Sequence, residues 1–168
     1  MSILKMPDPS RAVVINTTPL IALGVATGGL DVLRVLYSRV VVTYEVQQEI
    51  LAGGRYAPGV AAFLTSEWLE RVTEPQTIPV YLQNTLDRGE ASVIQAALAQ
   101  GIARVCIDEK VGRRIARLNG LNLTGSIGIL AKAKQAGYTL DIEQVLLRLH
   151  NHGIWLGNDV KQFLYENQ

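Results

Sequence analysis

The stretch Leu86–Gly125, LDRGEASVIQAALAQGIARVCIDEKVGRRIARLNGLNLTG, decides the fold. After Gly89 the apolar residues Ala91, Ile94, Ala97 and Leu98 recur at helical spacing, and Gly101 ends that helix. Ala103 to Ile107 is a short β-rich run that breaks into Asp108. A second helix then carries Val111, Ile115 and Leu118 at steps of four and three, and Gly120 closes it before a strand from Leu121 to Thr124. Helix and strand in alternation build a parallel sheet. Two acids are left in telling places, Glu90 at a helix start and Asp108 at a strand end, where open α/β sheets hold their ligands.

The alternation extends in both directions. Ala12–Ile15 (AVVI) is a buried strand running into Asn16, Thr17, Thr18 and Pro19, and Thr18 as cap with Pro19 at the first helical position starts a helix there. A short helix around Leu30–Leu36 leads to the β-branched strand Arg39–Thr43. Tyr44–Leu51 follows as a helix with Val46 and Ile50 on its apolar stripe and Glu49 at the stripe's edge, facing the protein body. Gly53 and Gly54 end it, Pro58 opens a helix through Phe63 and Leu64, and Trp68–Val72 is a strand. Thr73–Pro79 reads as a loop. Beyond Gly125 come helices over Ile127–Ala136, from Asp141 through Leu149, and over 158–166. The expectation is a single α/β domain over residues 1–168, with its core at about 12–156 and a mostly parallel sheet covered by helices on both sides.

Composition narrows the function. With 168 residues, 48% of them apolar and 18% charged, the chain is long enough for one substantial core. A formal net charge of +1 means that any nucleic-acid site is a local patch. The single cysteine, Cys106, excludes an internal disulfide framework and a cysteine-rich zinc site, and suits a reducing compartment. No apolar run reaches the roughly 18–20 residues of a membrane span. The opening MSILKMPDPSR lacks a long apolar segment, which reads against a secretory signal and predicts a cytoplasmic protein.

Parallel strands present their carboxyl ends along one edge, so Asn16 and Asp108 can converge there, with Glu49 and Glu90 brought in by the helices. Taken singly, each acid reads equally as a helix cap or a surface charge. Taken together, crowded carboxylates repel one another unless a cation lies between them. Hard oxygen donors select Mg²⁺ or Mn²⁺, and such an ion assists phosphodiester hydrolysis. Lys110, Arg113, Arg114 and Arg117 recur at steps of three and four, forming a positive stripe opposite the core-facing Val111, Ile115 and Leu118 stripe, which suits a polyanion or, equally, an ordinary solvated face. Thr124 and Ser126 offer hydroxyls and a helix N-terminus to a phosphate, or a plain cap.

Other motifs exclude chemistry. His150 and His152 are not spaced to share a helical face and have no cysteine partners, which reads against zinc. Trp68 and Trp155 sit beside apolar neighbours and read as packing residues. No phosphate-binding glycine loop follows a strand, and Ser126 lies in no nucleophile elbow.

The segments INTTPLIAL, VTYEVQQEI, LDRGEASVIQAAL, VCIDEKVGRRIA and LNLTGSIGILAKAKQAG, in this order, resemble the PIN-domain superfamily. They are similar to a prokaryotic, uncharacterised PIN-like branch related to VapC-type toxins, over about Ala12 to Leu156. The resemblance implies a three-layer sandwich and Mg²⁺- or Mn²⁺-dependent endoribonuclease activity. In toxin relatives it also implies a small antitoxin protein over the site, and homodimers. Residue by residue, the family's acidic quartet falls on Asn16, Glu49, Glu90 and Asp108, with Thr17 and Thr18 at the small hydroxyl positions. The departure is Asn16, where active relatives carry aspartate: an amide oxygen coordinates a cation without supplying charge, and Glu109 is placed to compensate. A PIN-like domain that has lost catalysis and binds RNA or protein is therefore the alternative. A receiver-like domain with Asp108 as phosphorylation site is a third reading.

Overall fold

Ala12–Ile15 forms strand β1 and is buried along its whole length, as a strand with helices above and below it must be. The computed structural model describes residues 9–166, so most of the opening segment read against a secretory signal lies outside the described residues. After β1 come α1 (Thr17–Thr27), α2 (Val32–Leu36), β2 (Arg39–Val42), α3 (Tyr44–Ala52), α4 (Val60–Thr65) and β3 (Glu70–Arg71). The chain continues through α5 (Val80–Gln83), α6 (Arg88–Gln100), β4 (Arg104–Cys106), α7 (Lys110–Leu118) and β5 (Asn122–Thr124). It ends in α8 (Ser126–Gln135), α9 (Ile142–Asn151) and α10 (Asn158–Glu166).

All pairings are parallel, in the order β3-β2-β1-β4-β5. Val13 faces Val40 across one pairing and Ile15 faces Cys106 across the other. The strand order reverses beside β1, which opens a crevice at the carboxyl ends of β1 and β4. A hydrogen bond of 3.0 Å from the Asn16 amide to the Cys106 carbonyl joins the two strands at that point. Helix α6 packs on β1 and β4 and touches α3, α5 and α7, while α1, α8, α9 and α10 group together. The α/β sandwich with a parallel sheet is therefore as expected. Among the described residues no helix is long and apolar enough to cross a membrane.

Helix starts differ from the expectation in a way that matters for the site. Asn16, not Thr18, takes the capping position of α1. Helix α6 starts at Arg88, with Asp87 as its cap accepting from the Glu90 amide at 2.8 Å, so Gly89 lies inside the helix. The four-residue α5 is too short to announce itself by periodicity. Strand β3 is only Glu70–Arg71, pinned to β2 by a two-pronged Arg39–Glu70 pair at 2.8 and 2.7 Å.

The face of α7 is a correction. Val111 and Leu118, expected on the core side, are 55% and 73% exposed, and the buried residues of the helix are Gly112 and Ala116. Close approach decides the rotation: Gly112 lies against the Glu90 carboxylate, a contact only the small face of α7 allows. Lys110, Arg114 and Arg117 consequently share one outer face with Val111 and Leu118 instead of opposing them.

Candidate metal and nucleic-acid site

The crevice is organised by the segment Asn16-Thr17-Thr18. Asn16 is 3% exposed and sits at the capping position of α1 without making a side-chain cap bond. Its Oδ1 is buried and has no hydrogen-bond partner among the described residues. Thr17 donates to Glu49 Oε2 at 2.6 Å, and Thr18 donates to Glu109 Oε1 at 2.9 Å. Two successive hydroxyls, next in sequence to Asn16, thus hold one acid from α3 and one from the capping position of α7.

Three carboxylates rest on three glycines. A Cβ at Gly89 would clash with the Glu49 carboxylate; one at Gly112 would lie 2.6 Å from Glu90 Oε1, and one at Gly125 2.8 Å from Asp108 Oδ1. Each acid fills space that any other residue would take from it.

Glu90 is the buried member of an acidic cluster. It is 6% exposed, its Oε1 has no hydrogen-bond partner among the described residues, and ligand atoms of Asp87, Glu90 and Glu109 lie within 4.8 Å of one another. Burial, a hydrogen bond with Glu109 and the negative charges of Asp87 and Glu109 push its carboxyl up to about 8. A buried acid with unused oxygen, crowded by two further carboxyl groups, has the donor chemistry that a hard divalent cation takes.

The expected residues fall into two groups. Asn16, Glu49 and Glu90 come to the crevice edge; Asp108 stands beside it but is turned to α8, its oxygens accepting from the Ser126 amide at 2.8 Å and the Ser126 hydroxyl at 2.9 Å. The N-terminus of α8 therefore already receives a carboxylate, which corrects the expectation that Ser126 offers it to a phosphate. Thr124, expected to contact RNA, is 4% exposed at the end of β5. Arg113 is half-buried and donates to the carbonyls of Ile107 at 2.7 Å and Thr124 at 3.2 Å, clamping β4 to β5. Lys110, Arg114 and Arg117 are exposed. Cys106 is fully buried, with its thiol pushed well up by that burial and then by the Asp108 charge, so it is no nucleophile.

A sequence profile of a protein family described as the PIN domain matches residues 12–167. This chain belongs to the PIN-domain family. No curated protein matches the sequence. In this PIN domain the acid set is wider than the four positions carried over by resemblance. Asp87 and Glu109 stand with Glu90, and of these two the sequence pointed only to Glu109, as a stand-in for the missing aspartate. A signal for Asp87 exists: it stands three residues before Glu90, the spacing of a helix cap that brings two acids into one turn. Glu45, 4% exposed on α3, is also missed by sequence reasoning, because its position in the helix marks it as surface.

Proposed function

We propose that this PIN domain is a divalent-metal-dependent endoribonuclease. The observation that carries the reading is the buried Glu90 carboxylate, with unused oxygen, beside Asp87 and Glu109. Glu90, Glu109 and Asn16 would hold Mg²⁺ or Mn²⁺, with Glu49 and Asp87 close by. Bound there, such an ion supplies an activated water and offsets charge on the scissile phosphate. Thr17 and Thr18 fix the directions of Glu49 and Glu109. Burial and its acidic neighbours raise the Glu90 carboxyl, so a proton and a cation would compete for it and loading of the site would depend on pH. Lys110, Arg114 and Arg117 on the outer face of α7 draw the RNA backbone toward the crevice.

Asn16 favours a second reading, an RNA-binding or protein-interaction module with impaired catalysis, because an amide adds no charge to the metal site. One experiment separates the two. Single-stranded RNA is incubated with the full chain and Mn²⁺, alongside Glu90→Gln and Asn16→Asp forms. Cleavage abolished by chelator and by Glu90→Gln supports the nuclease. Cleavage by the Asn16→Asp form alone supports the module, and no binding of Mn²⁺ at millimolar concentration by either form sinks the nuclease. The same reading carries the assembly of a cytoplasmic toxin, namely a homodimer whose site is covered by a small antitoxin protein.

A further inference from the structure

Thr43 and Ser92 are the two polar residues with no exposed surface among the described residues, and they meet where α3 packs on α6. Their hydroxyl oxygens lie 2.7 Å apart. The Ser92 hydroxyl donates its single proton to the Gly89 carbonyl at 2.6 Å, so the bond between the two hydroxyls is donated by Thr43. Thr43 Oγ1 in turn accepts from the Val46 amide at 3.2 Å and so caps α3. The three bonds form a relay in one direction, from the first turn of α3 to the first turn of α6.

Packing alone does not ask for this arrangement. A buried hydroxyl pair with its bonds made contributes little net stability, and two apolar side chains of the same shape would serve the contact nearly as well. Hydroxyls add direction and a fixed separation, which the non-directional contact of apolar surfaces does not set.

The relay ends at the acids. Gly89 carries the accepting carbonyl, its bare Cα lies against the Glu49 carboxylate of α3, and the next residue is Glu90. Glu49 is also held by Thr17. We propose that Thr43 and Ser92 are positioning residues of the acidic site, whose hydroxyls fix the turn carrying Glu90 against the helix carrying Glu49; the inference rests on the metal-site reading above. Both side chains are sealed from solvent, so they act through the two acids and not on a ligand. Without the relay the first turn of α6 is free to slide on α3, and the Glu49 and Glu90 carboxylates lose their common setting.

The test compares Thr43→Val, Ser92→Ala, the two together and Thr43→Ser, each in the full chain. Thr43→Ser keeps the hydroxyl and should behave as the parent. Isothermal titration with Mn²⁺ is expected to show about tenfold weaker binding in Thr43→Val and in Ser92→Ala, the lower end of what lost support around a metal ligand costs. The double variant should lose no more, because either change breaks the same relay. A second measurement needs no metal. In chelator, the side-chain carboxyl carbon signals of Glu49 and Glu90 in NMR should move in Thr43→Val and Ser92→Ala and stay in place in Thr43→Ser. Carboxyl signals that match the parent in both hydroxyl-free variants overturn the proposal. So does a loss of Mn²⁺ affinity that Thr43→Ser shares with Thr43→Val, or parental affinity in Ser92→Ala. If the parent binds no Mn²⁺ the metal-site reading falls, and the carboxyl signals still decide whether the relay positions the acids. Should Ser92→Ala fail to fold in a thermal melt, the two Thr43 variants carry the comparison.

Discussion

The carboxylate of Glu90 lies directly on Gly112: a Cβ there would sit 2.6 Å from Glu90 Oε1 and 3.0 Å from Ile107 Cγ2. In an exposed helix, alanine for glycine stabilises by about 1 kcal/mol. Here the added methyl must displace either the acid or the sheet, and overpacking of that kind costs about 1–3 kcal/mol. Gly112→Ala is expected to lose its helix-propensity gain. It is also expected to weaken Mn²⁺ binding about 10–100-fold, the usual cost of disturbing a ligand's support. Isothermal titration with Mn²⁺ and urea unfolding in chelator check the two effects separately.

Glu90 gives the metal-free protein a definite pH dependence. Its carboxyl is raised in the folded state to about 8 by burial, by the hydrogen bond with Glu109 and by neighbouring negative charge. The folded chain therefore holds a proton that the unfolded chain has released. The associated stability is full below about pH 4.5 and is lost as pH rises through about 8, a tenfold difference in proton affinity between folded and unfolded chain being worth about 1.4 kcal/mol. Thermal midpoints measured in chelator should fall across this window, and the fall should be smaller in Glu90→Gln. Affinity for Mn²⁺ should rise over the same window, because the ion competes with the proton.

The fold was legible because strands buried on both faces are near-continuous apolar runs, and AVVI and RVVV cannot serve as anything else. The candidate site was legible where an acid ended a strand or opened a helix, as at Asp108 and Glu90, and where one stood at the edge of an apolar stripe, as at Glu49. Three features stayed hidden for physical reasons. The rotation of α7 is set by close approach at Gly112, not by the distribution of apolar residues, so Val111 and Leu118 misled. The division of labour between Asp108 and Glu109 depends on which of two adjacent side chains reaches Ser126 and which reaches Thr18. Glu45 sits on a helix whose pattern marks it as solvated, and only the loop carrying Gln76 covers it.

Asp108 and Glu109 are adjacent yet should fail differently. Asp108 accepts two hydrogen bonds from Ser126 and so caps α8, an arrangement worth about 0.5–2 kcal/mol. An amide at that position turns a donor toward one of the two Ser126 groups. Asp108→Asn is expected to lower the thermal midpoint in the absence of metal. Glu109 instead meets Thr18 and the Glu90 cluster on an exposed edge, so Glu109→Gln removes a repulsive charge. It should leave the midpoint unchanged or raise it, bring the Glu90 carboxyl down and weaken Mn²⁺ binding. A Glu109→Gln protein that binds Mn²⁺ as well as the parent would remove Glu109 from the ligand set.

The outer face of α7 makes the last distinction, between side chains that meet RNA and side chains that hold the sheet. Lys110, Arg114 and Arg117 are exposed on one face. Each phosphate neutralised on a single strand contributes about 0.7 to the slope of log affinity against log salt. Replacing all three with alanine is expected to lower that slope by up to about 2 with little change in stability. Arg113 should behave in the opposite way. Its Nη1 donates to carbonyls of Ile107 and Thr124 at 2.7 and 3.2 Å, and Arg113→Ala leaves the Ile107 carbonyl without that donor and the Thr124 carbonyl with the Ile107 amide alone. Arg113→Ala is therefore expected to lower the urea midpoint while leaving the salt slope of RNA binding near that of the parent. A slope untouched by the triple substitution would mean that RNA approaches the crevice from another side.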